Sequence, residues 1–222
     1  MASIPGWLTA AQAEVLSNHA SHVPVGGVVV EIGSHQGRST VALGGSVGTG
    51  VRVVAIDPFP SKWRYGGFDT ERLLRETLAS AGLDDVVEVR RTSSAEAFTS
   101  WRGRVDLVYV DGKHDAASTV RDLRWSRRLP PGGRVLVHDS FSSLGVTVGL
   151  LVRVLPCRDL RFVGRTGSLA VLERARPSAV DRALMLAQMP WFARNLVVKV
   201  LLRLRLGRVA GWLGHHHSTD PY

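Results

Sequence analysis

The chain has 222 residues, 45% of them hydrophobic, enough for one full-sized domain with a large core and a short appendage. Its one cysteine, Cys157, excludes an internal disulfide and fits a reducing cytoplasm, and the opening MASIPGWLTAAQAEVL has neither the basic nor the apolar region of a secretory signal. The net charge of +9 is mostly arginine and would favour phosphates, nucleic acid or an anionic membrane surface where it is clustered.

Strand-like and helix-like runs alternate from residue 27 to about residue 173. GVVVEIG (27–33) and VRVVAID (51–57) are aliphatic runs that end in an acid and a turn, the pattern of parallel strands buried on both faces. VVEVRR (86–91), VDLVYVD (105–111) and GRVLVHD (133–139) repeat it. Between the last two, 115–129 reads as a helix with Ala116, Val120 and Leu123 on one face, stopped by LPPGG. After Cys157 two strands joined across GRTGS read as an antiparallel hairpin at the sheet edge. The expected architecture is α/β, a doubly wound, mostly parallel seven-stranded sheet over residues 1–175, followed by a basic helical extension over 176–222.

In such a sheet ligands bind beyond the carboxyl ends of the strands. The polar clusters lie there: Glu31 to Ser39, Asp57, Ser93 with Ser94, Asp111 to Asp115, and His138 with Asp139. A single acid at a strand end is an ordinary turn residue, but successive strand ends that all carry polar clusters point to a site. Gly33 and Gly37 let the backbone of the first turn approach a ligand, and Ser39 is available to bond a carboxylate. The turn lacks the GxGxxG dinucleotide pattern, so no pyrophosphate is specifically implied. Asp57 follows Gly33 at close to the offset at which an acid takes ribose hydroxyls.

Glu31-Ile32-Gly33, Gly37, the AIDPF segment, the edge hairpin and a VDGxH segment together resemble the class I S-adenosylmethionine-dependent methyltransferases over roughly 25–173. Within these the chain is similar to small O-methyltransferases of the catechol type and to bacterial sugar and natural-product relatives. The resemblance implies a Rossmann-like methyltransferase fold with S-adenosylmethionine wrapped by Gly33, Ser34 and Gly37. It places Glu31 near the methionine end, Ser39 on the carboxylate, Asp57 on the ribose, Ser94 beside the adenine and Asp111 among the cofactor contacts. Many relatives carry a glycine where this chain has His35.

Methyl transfer to an alcohol needs an oxygen nucleophile near its deprotonated form, hence a general base, a cation or both. Asp111 and Asp139 end neighbouring strands in the proposed order, and two carboxylates with water suit Mg²⁺. His114 would then take the proton. In the catechol-type enzymes the corresponding positions are a metal-ligating Asp, a Lys base three residues on, and an Asp-Asn pair; here they are Asp111, His114 and His138-Asp139. His138 in the pair implies either a site that prefers Mn²⁺ or another imidazole-binding metal, with Asp111, His138 and Asp139 as ligands, or a metal-free site with His138 as base. As a turn acid and a helix-start residue, Asp111 and His114 would have no catalytic meaning without the neighbouring strand.

The loop after the second strand carries Phe59, Lys62, Trp63, Arg64, Tyr65 and Phe68, which suits a lid, an acceptor platform or a cap on the cofactor. Arg176, Arg182, Arg194, Lys199, Arg203, Arg205 and Arg208 place much of the basicity beyond the catalytic fold. Too interrupted by charge to span a bilayer, 190–213 is compatible with peripheral contact at the inner face of a membrane, a homodimer interface or packing on the core. His215 to His217 is read as a solvated end or a metal site. The expected function is a metal-assisted O-methyltransferase acting on a small-molecule or glycan acceptor, with no nucleic-acid partner. A nucleic-acid methyltransferase is weighed against it because of the charge. The segment VDGKH, in place of the Asn/Asp-Pro-Pro-aromatic segment of base amino-methylating enzymes, argues the other way. A catalytically silent cofactor-fold protein that binds through its tail is the third reading.

Overall fold

A computed structural model describes residues 4–60 and 69–215. The strands are β1 (Val28–Ile32), β2 (Arg52–Asp57), β3 (Val87–Arg91), β4 (Leu107–Val110), β5 (Arg134–Val137), β6 (Arg161–Thr166) and β7 (Leu169–Glu173). They form one seven-stranded sheet in the order β3-β2-β1-β4-β5-β7-β6. Pairing is parallel from β3 to β5, whereas β7 runs antiparallel to both β5 and β6. The hairpin expected across GRTGS therefore forms, with Gly167 at φ +56 in its turn.

The helices are α1 (Ala10–Ser21), α2 (Arg38–Gly44), α3 (Thr70–Ser80), α4 (Ser94–Ser100), α5 (Ala116–Asp122), α6 (Leu144–Val154), α7 (Ala179–Leu186), α8 (Met189–Arg203) and α9 (Gly207–Trp212). Alternating strand residues divide the core in two. Val29, Val53, Ala55, Leu107 and Tyr109 pack with Leu16 of α1, Leu43 of α2 and Leu74 and Leu78 of α3. Val30, Val54, Ile56, Val108 and Val110 pack on the other face with Ala97 of α4, Trp125, and Val146 and Leu150 of α6. Burial on both faces is why these strands read as unbroken aliphatic runs.

The helix expected over 115–129 is corrected. It stops at Asp122 and continues as a 3-10 segment, Leu123–Arg128, that carries the buried Trp125 inward. Within α5 the buried residues are Ser118, Thr119 and Asp122; of the apolar set read from the spacing, Leu123 is buried where the 3-10 segment begins, whereas Ala116 and Val120 are only partly covered. The reason is close packing: a Cβ on Gly149 of α6 would lie 2.6 Å from Thr119 Cβ, so small residues meet here. Likewise a Cβ on Gly145 would come within 2.8 Å of Asp115 Cα, which presses the start of α6 against the β4–α5 connection.

The C-terminal helices expected after residue 176 form as α7, α8 and α9, and they lie on the domain. Met185 and Val198 are buried, and Met189, Trp191 and Phe192 pack against the core. Among the described residues no helix is long and apolar enough to cross a membrane.

Candidate active site

The strand order reverses between β1 and β4, and both halves of the site flank that crevice. On the β1 side Gly33 turns at φ +84 and Gly37 opens α2 at φ +94. His35 is itself left-handed at φ +46. Ser34 and His35 each donate a backbone N–H to Asp57 Oδ2 (3.1 Å), and Phe59 donates one to Asp57 Oδ1 (2.8 Å). Asp57 thus braces the glycine turn from the end of β2. The buried Ser34 hydroxyl, near the Glu31 carboxylate, makes no hydrogen bond of ordinary geometry, as expected of a group that awaits a ligand.

Glu31 is fully buried and accepts the Ser39 hydroxyl (2.5 Å) and the Thr40 hydroxyl (2.6 Å). Ser39 is therefore engaged with Glu31, where the sequence suggested a cofactor carboxylate. Burial pushes the Glu31 carboxyl up to about 7 from 4.5, against the opposing effect of its hydroxyl donors. A carboxyl with a raised folded-state pKa contributes stability that is complete below the unfolded value and is lost as pH rises through the folded one. Relative to Glu31→Gln, the parent chain should lose about 3 kcal/mol between pH 4.5 and 7, the free energy equivalent of the shift. Urea unfolding of both proteins across that window reads the difference directly; parallel curves would mean that Glu31 is ionised throughout.

Ser94 begins α4 and accepts from Trp125 Nε1 at 2.9 Å. It also hydrogen-bonds the buried Asp122, whose carboxyl burial raises to about 6. Asp122 lies under Gly112, 3.2 Å from where a Cβ there would be. Sequence reasoning passed over Asp122 because nothing local marks it as facing inward.

On the β4 side, Asp111, His114, His138 and Asp139 meet. His114 bridges the two acids, with Nε2 3.4 Å from Asp111 Oδ1 and Nδ1 3.1 Å from Asp139 Oδ2. His138 Nδ1 is 3.4 Å from Asp111 Oδ1 and 3.8 Å from Asp139 Oδ1. The Tyr109 hydroxyl donates to Asp111 Oδ2 at 3.1 Å. Asp139 and Phe141 hold left-handed φ values of +54 and +57, backbone strain of the kind that gathers at functional sites.

Burial opposes ionisation of Asp111, but attraction to His138 and hydrogen bonds from His114 and His138 outweigh it and hold the carboxyl well below its usual range. Burial likewise disfavours the His138 imidazolium, yet Asp111 and Asp139 push its pKa up to about 9. His114, the more exposed of the two, is also raised despite burial, by the same pair of acids.

The ligand atoms of Asp111, His138 and Asp139 lie within 4.8 Å of one another, a donor set that fits a divalent cation with water completing its shell. Orientation of His138 supports that fit. Gln12 Oε1 accepts the Thr9 N–H (3.0 Å) in the capping box of α1, and Gln12 Nε2 donates to Ser168 Oγ (3.0 Å). The oxygen therefore faces His138 Nε2 at 3.4 Å, so Nε2 keeps its proton and Nδ1, the nitrogen that faces the acids, is the one whose proton a cation would displace. Gln12→Leu should weaken Mn²⁺ binding roughly 10- to 100-fold in calorimetry. Unchanged affinity would mean that the imidazole is held by its acids alone.

From α8, Asn195 Nδ2 donates to Phe141 O (2.9 Å) and Lys199 Nζ to Ser142 O (2.6 Å), tying the C-terminal helices to the loop that carries Asp139. Burial lowers the Lys199 pKa against the pull of Asp139. Phe59 is buried in the core, while 61–68, with Lys62, Trp63, Arg64, Tyr65 and Phe68 of the aromatic loop, lies outside the described residues. His215 is buried, and His216 and His217 lie outside the described residues.

The family described as a methyltransferase domain matches residues 30–140, the span from β1 through Asp139. Among solved structures, cofactor-bound Rv0187 from MTB is 21% identical, with 79% of this chain and 85% of that chain covered and a TM-score of 0.62. The O-methyltransferase TomG of Streptomyces achromogenes, involved in tomaymycin synthesis and solved with SAM, is 17% identical over 75% of this chain and 81% of its own, with a TM-score of 0.60. An rRNA methylase of Streptococcus thermophilus is 15% identical over 73% of this chain and 95% of its own, with a TM-score of 0.54. At these identities the likeness concerns the fold, which enzymes acting on small molecules and on RNA share.

Proposed function

The chain belongs to the methyltransferase domain family, and from that premise we propose that it moves the methyl group of S-adenosylmethionine, assisted by a divalent metal ion, to a hydroxyl of a sugar, glycoside or related natural product. The observation that carries this reading is the meeting of Asp111, His114, His138 and Asp139 at the ends of β4 and β5, across the crevice from the Gly33–Gly37 turn. S-adenosylmethionine supplies an electrophilic methyl group when bound, and Mg²⁺ or Mn²⁺ supplies positive charge that favours the alkoxide form of a nearby hydroxyl.

Asp111, Asp139 and His138 would hold the cation. Gln12 holds a proton on His138 Nε2, so Nδ1 is the nitrogen that would give up its proton and act as donor atom to the cation. His114, half-exposed, reaches both acids and stands where an acceptor hydroxyl would approach, so it is assigned the proton. The two carboxylates hold its pKa up; once their charge is neutralised, imidazole returns toward the neutral form that accepts a proton near pH 7. The segment Asp111-Gly112-Lys113-His114 favours oxygen over a base amino group as the methyl acceptor.

The test is calorimetric titration of S-adenosylmethionine into the EDTA-stripped chain, repeated with Mg²⁺ and Mn²⁺, followed by turnover on sugar acceptors and on rRNA. Binding at roughly micromolar affinity with metal-dependent turnover on a hydroxylated small molecule supports the reading. Methylation of RNA bases would overturn the acceptor class, and failure to bind S-adenosylmethionine would overturn the whole assignment.

A further inference from the structure

We infer that α8 and α9 form a docking surface for an anionic membrane leaflet. The inner side of α8 is committed to the domain: Asn195 and Lys199 bond the 141–142 backbone, Val198 is buried, and Trp191 and Phe192 pack on the core. These contacts fix which side faces out. That side carries Ala193, Val197, Val200 and Leu204, spaced four, three and four residues apart and so aligned on one helical face. Val197 is 50% exposed, Val200 57% and Leu204 63%, the reverse of the polar outer face a solvated surface helix presents. Exposed Leu206 and, on α9, Trp212 at 85% exposure add to the apolar surface, a side chain suited to the headgroup level of a bilayer.

Charge selects the occupant. Arg203, Arg205 and Arg208 are exposed beside this apolar face, and the sequence holds no Asp or Glu between Asp181 and Asp220. Two copies meeting through α8 would bring arginines together with no local acid to offset them, whereas an anionic leaflet complements both the apolar face and the cations. Docked in this way, the loop carrying Asp139 would sit about one helix diameter, ~10 Å, from the lipid surface.

The test is flotation of the full chain with vesicles of phosphatidylcholine alone or of equal parts phosphatidylcholine and phosphatidylglycerol. Binding is expected only to the anionic vesicles. Val200→Ser with Leu204→Ser should lower the partition coefficient about tenfold, and Arg203→Gln with Arg205→Gln and Arg208→Gln roughly hundredfold. All these positions are exposed, and unchanged S-adenosylmethionine binding would verify that the variants fold. Absence of flotation with anionic vesicles overturns the inference, as does flotation that the serine substitutions leave unaltered. A dimer in sedimentation equilibrium that Val200→Arg dissociates would overturn it in favour of an interface between copies, and preferential RNA binding through the three arginines would overturn it in favour of nucleic acid.

Discussion

Asp111→Ala is expected to lower turnover at least about 10³-fold, some ~4 kcal/mol of transition-state stabilisation, while affinity for S-adenosylmethionine changes little. The carboxylate is the hub of the chemical half: it faces His138 and His114 and accepts from Tyr109. The cofactor half touches Asp111 through its backbone instead, since the Asp111 carbonyl carbon would lie 2.7 Å from a Cβ on Gly33, and alanine keeps that backbone. Removing the acid also leaves the buried His138 with a weaker reason to be charged, which costs stability. Asp111→Asn, which keeps the shape, separates that cost from the chemistry. Single-turnover kinetics and cofactor calorimetry on both variants give the answer; equal losses of turnover and of cofactor binding would sink the role assigned to the carboxylate.

The four residues of that hub were readable because each lies next to a strand that announces itself. Val28–Ile32, Leu107–Val110 and Arg134–Val137 are buried on both faces, so their aliphatic runs mark the strand and the first polar residue beyond marks the strand end. Contacts made across long stretches of chain left no such mark. Gln12 reaches His138 over 126 residues, and Lys199 reaches Ser142 over 57. The Thr9-to-Gln12 capping box is visible in the sequence, but it announces a helix start and says nothing of the imidazole behind it. The α5 face was read only in part for a related reason: spacing finds apolar stripes and so found Leu123, whereas close approach of two helices at Gly145 and Gly149 selects small residues whatever their polarity. Ser39 likewise shows the right residue type at the right turn, but only the fold reveals that its hydroxyl is taken by Glu31.

Gly33→Ala should disable both halves at once, and in this it differs from Asp111→Ala. A left-handed φ of +84 costs an alanine about 1–2 kcal/mol. The added Cβ would also fall 2.7 Å from the Asp111 carbonyl carbon and 2.9 Å from Gly112 Cα, backbone atoms that cannot swing away as a side-chain end would. Overpacking of this kind adds roughly 1–3 kcal/mol. Together these predict a loss of about 2–5 kcal/mol and a fall in Tm of about 10 °C. Gly82→Ala is the control: its φ is +66 but nothing lies within 4 Å of its Cβ, so it bears the backbone cost alone. Relief of the clash must move either the turn that Asp57 braces or the strand end that carries Asp111, so binding of both S-adenosylmethionine and Mn²⁺ should weaken in the folded variant. Thermal melts and the two calorimetric titrations decide the matter. If Gly33→Ala melts no lower than Gly82→Ala and binds both ligands normally, the turn and the strand end are not mechanically joined, and the two halves of the site are independent.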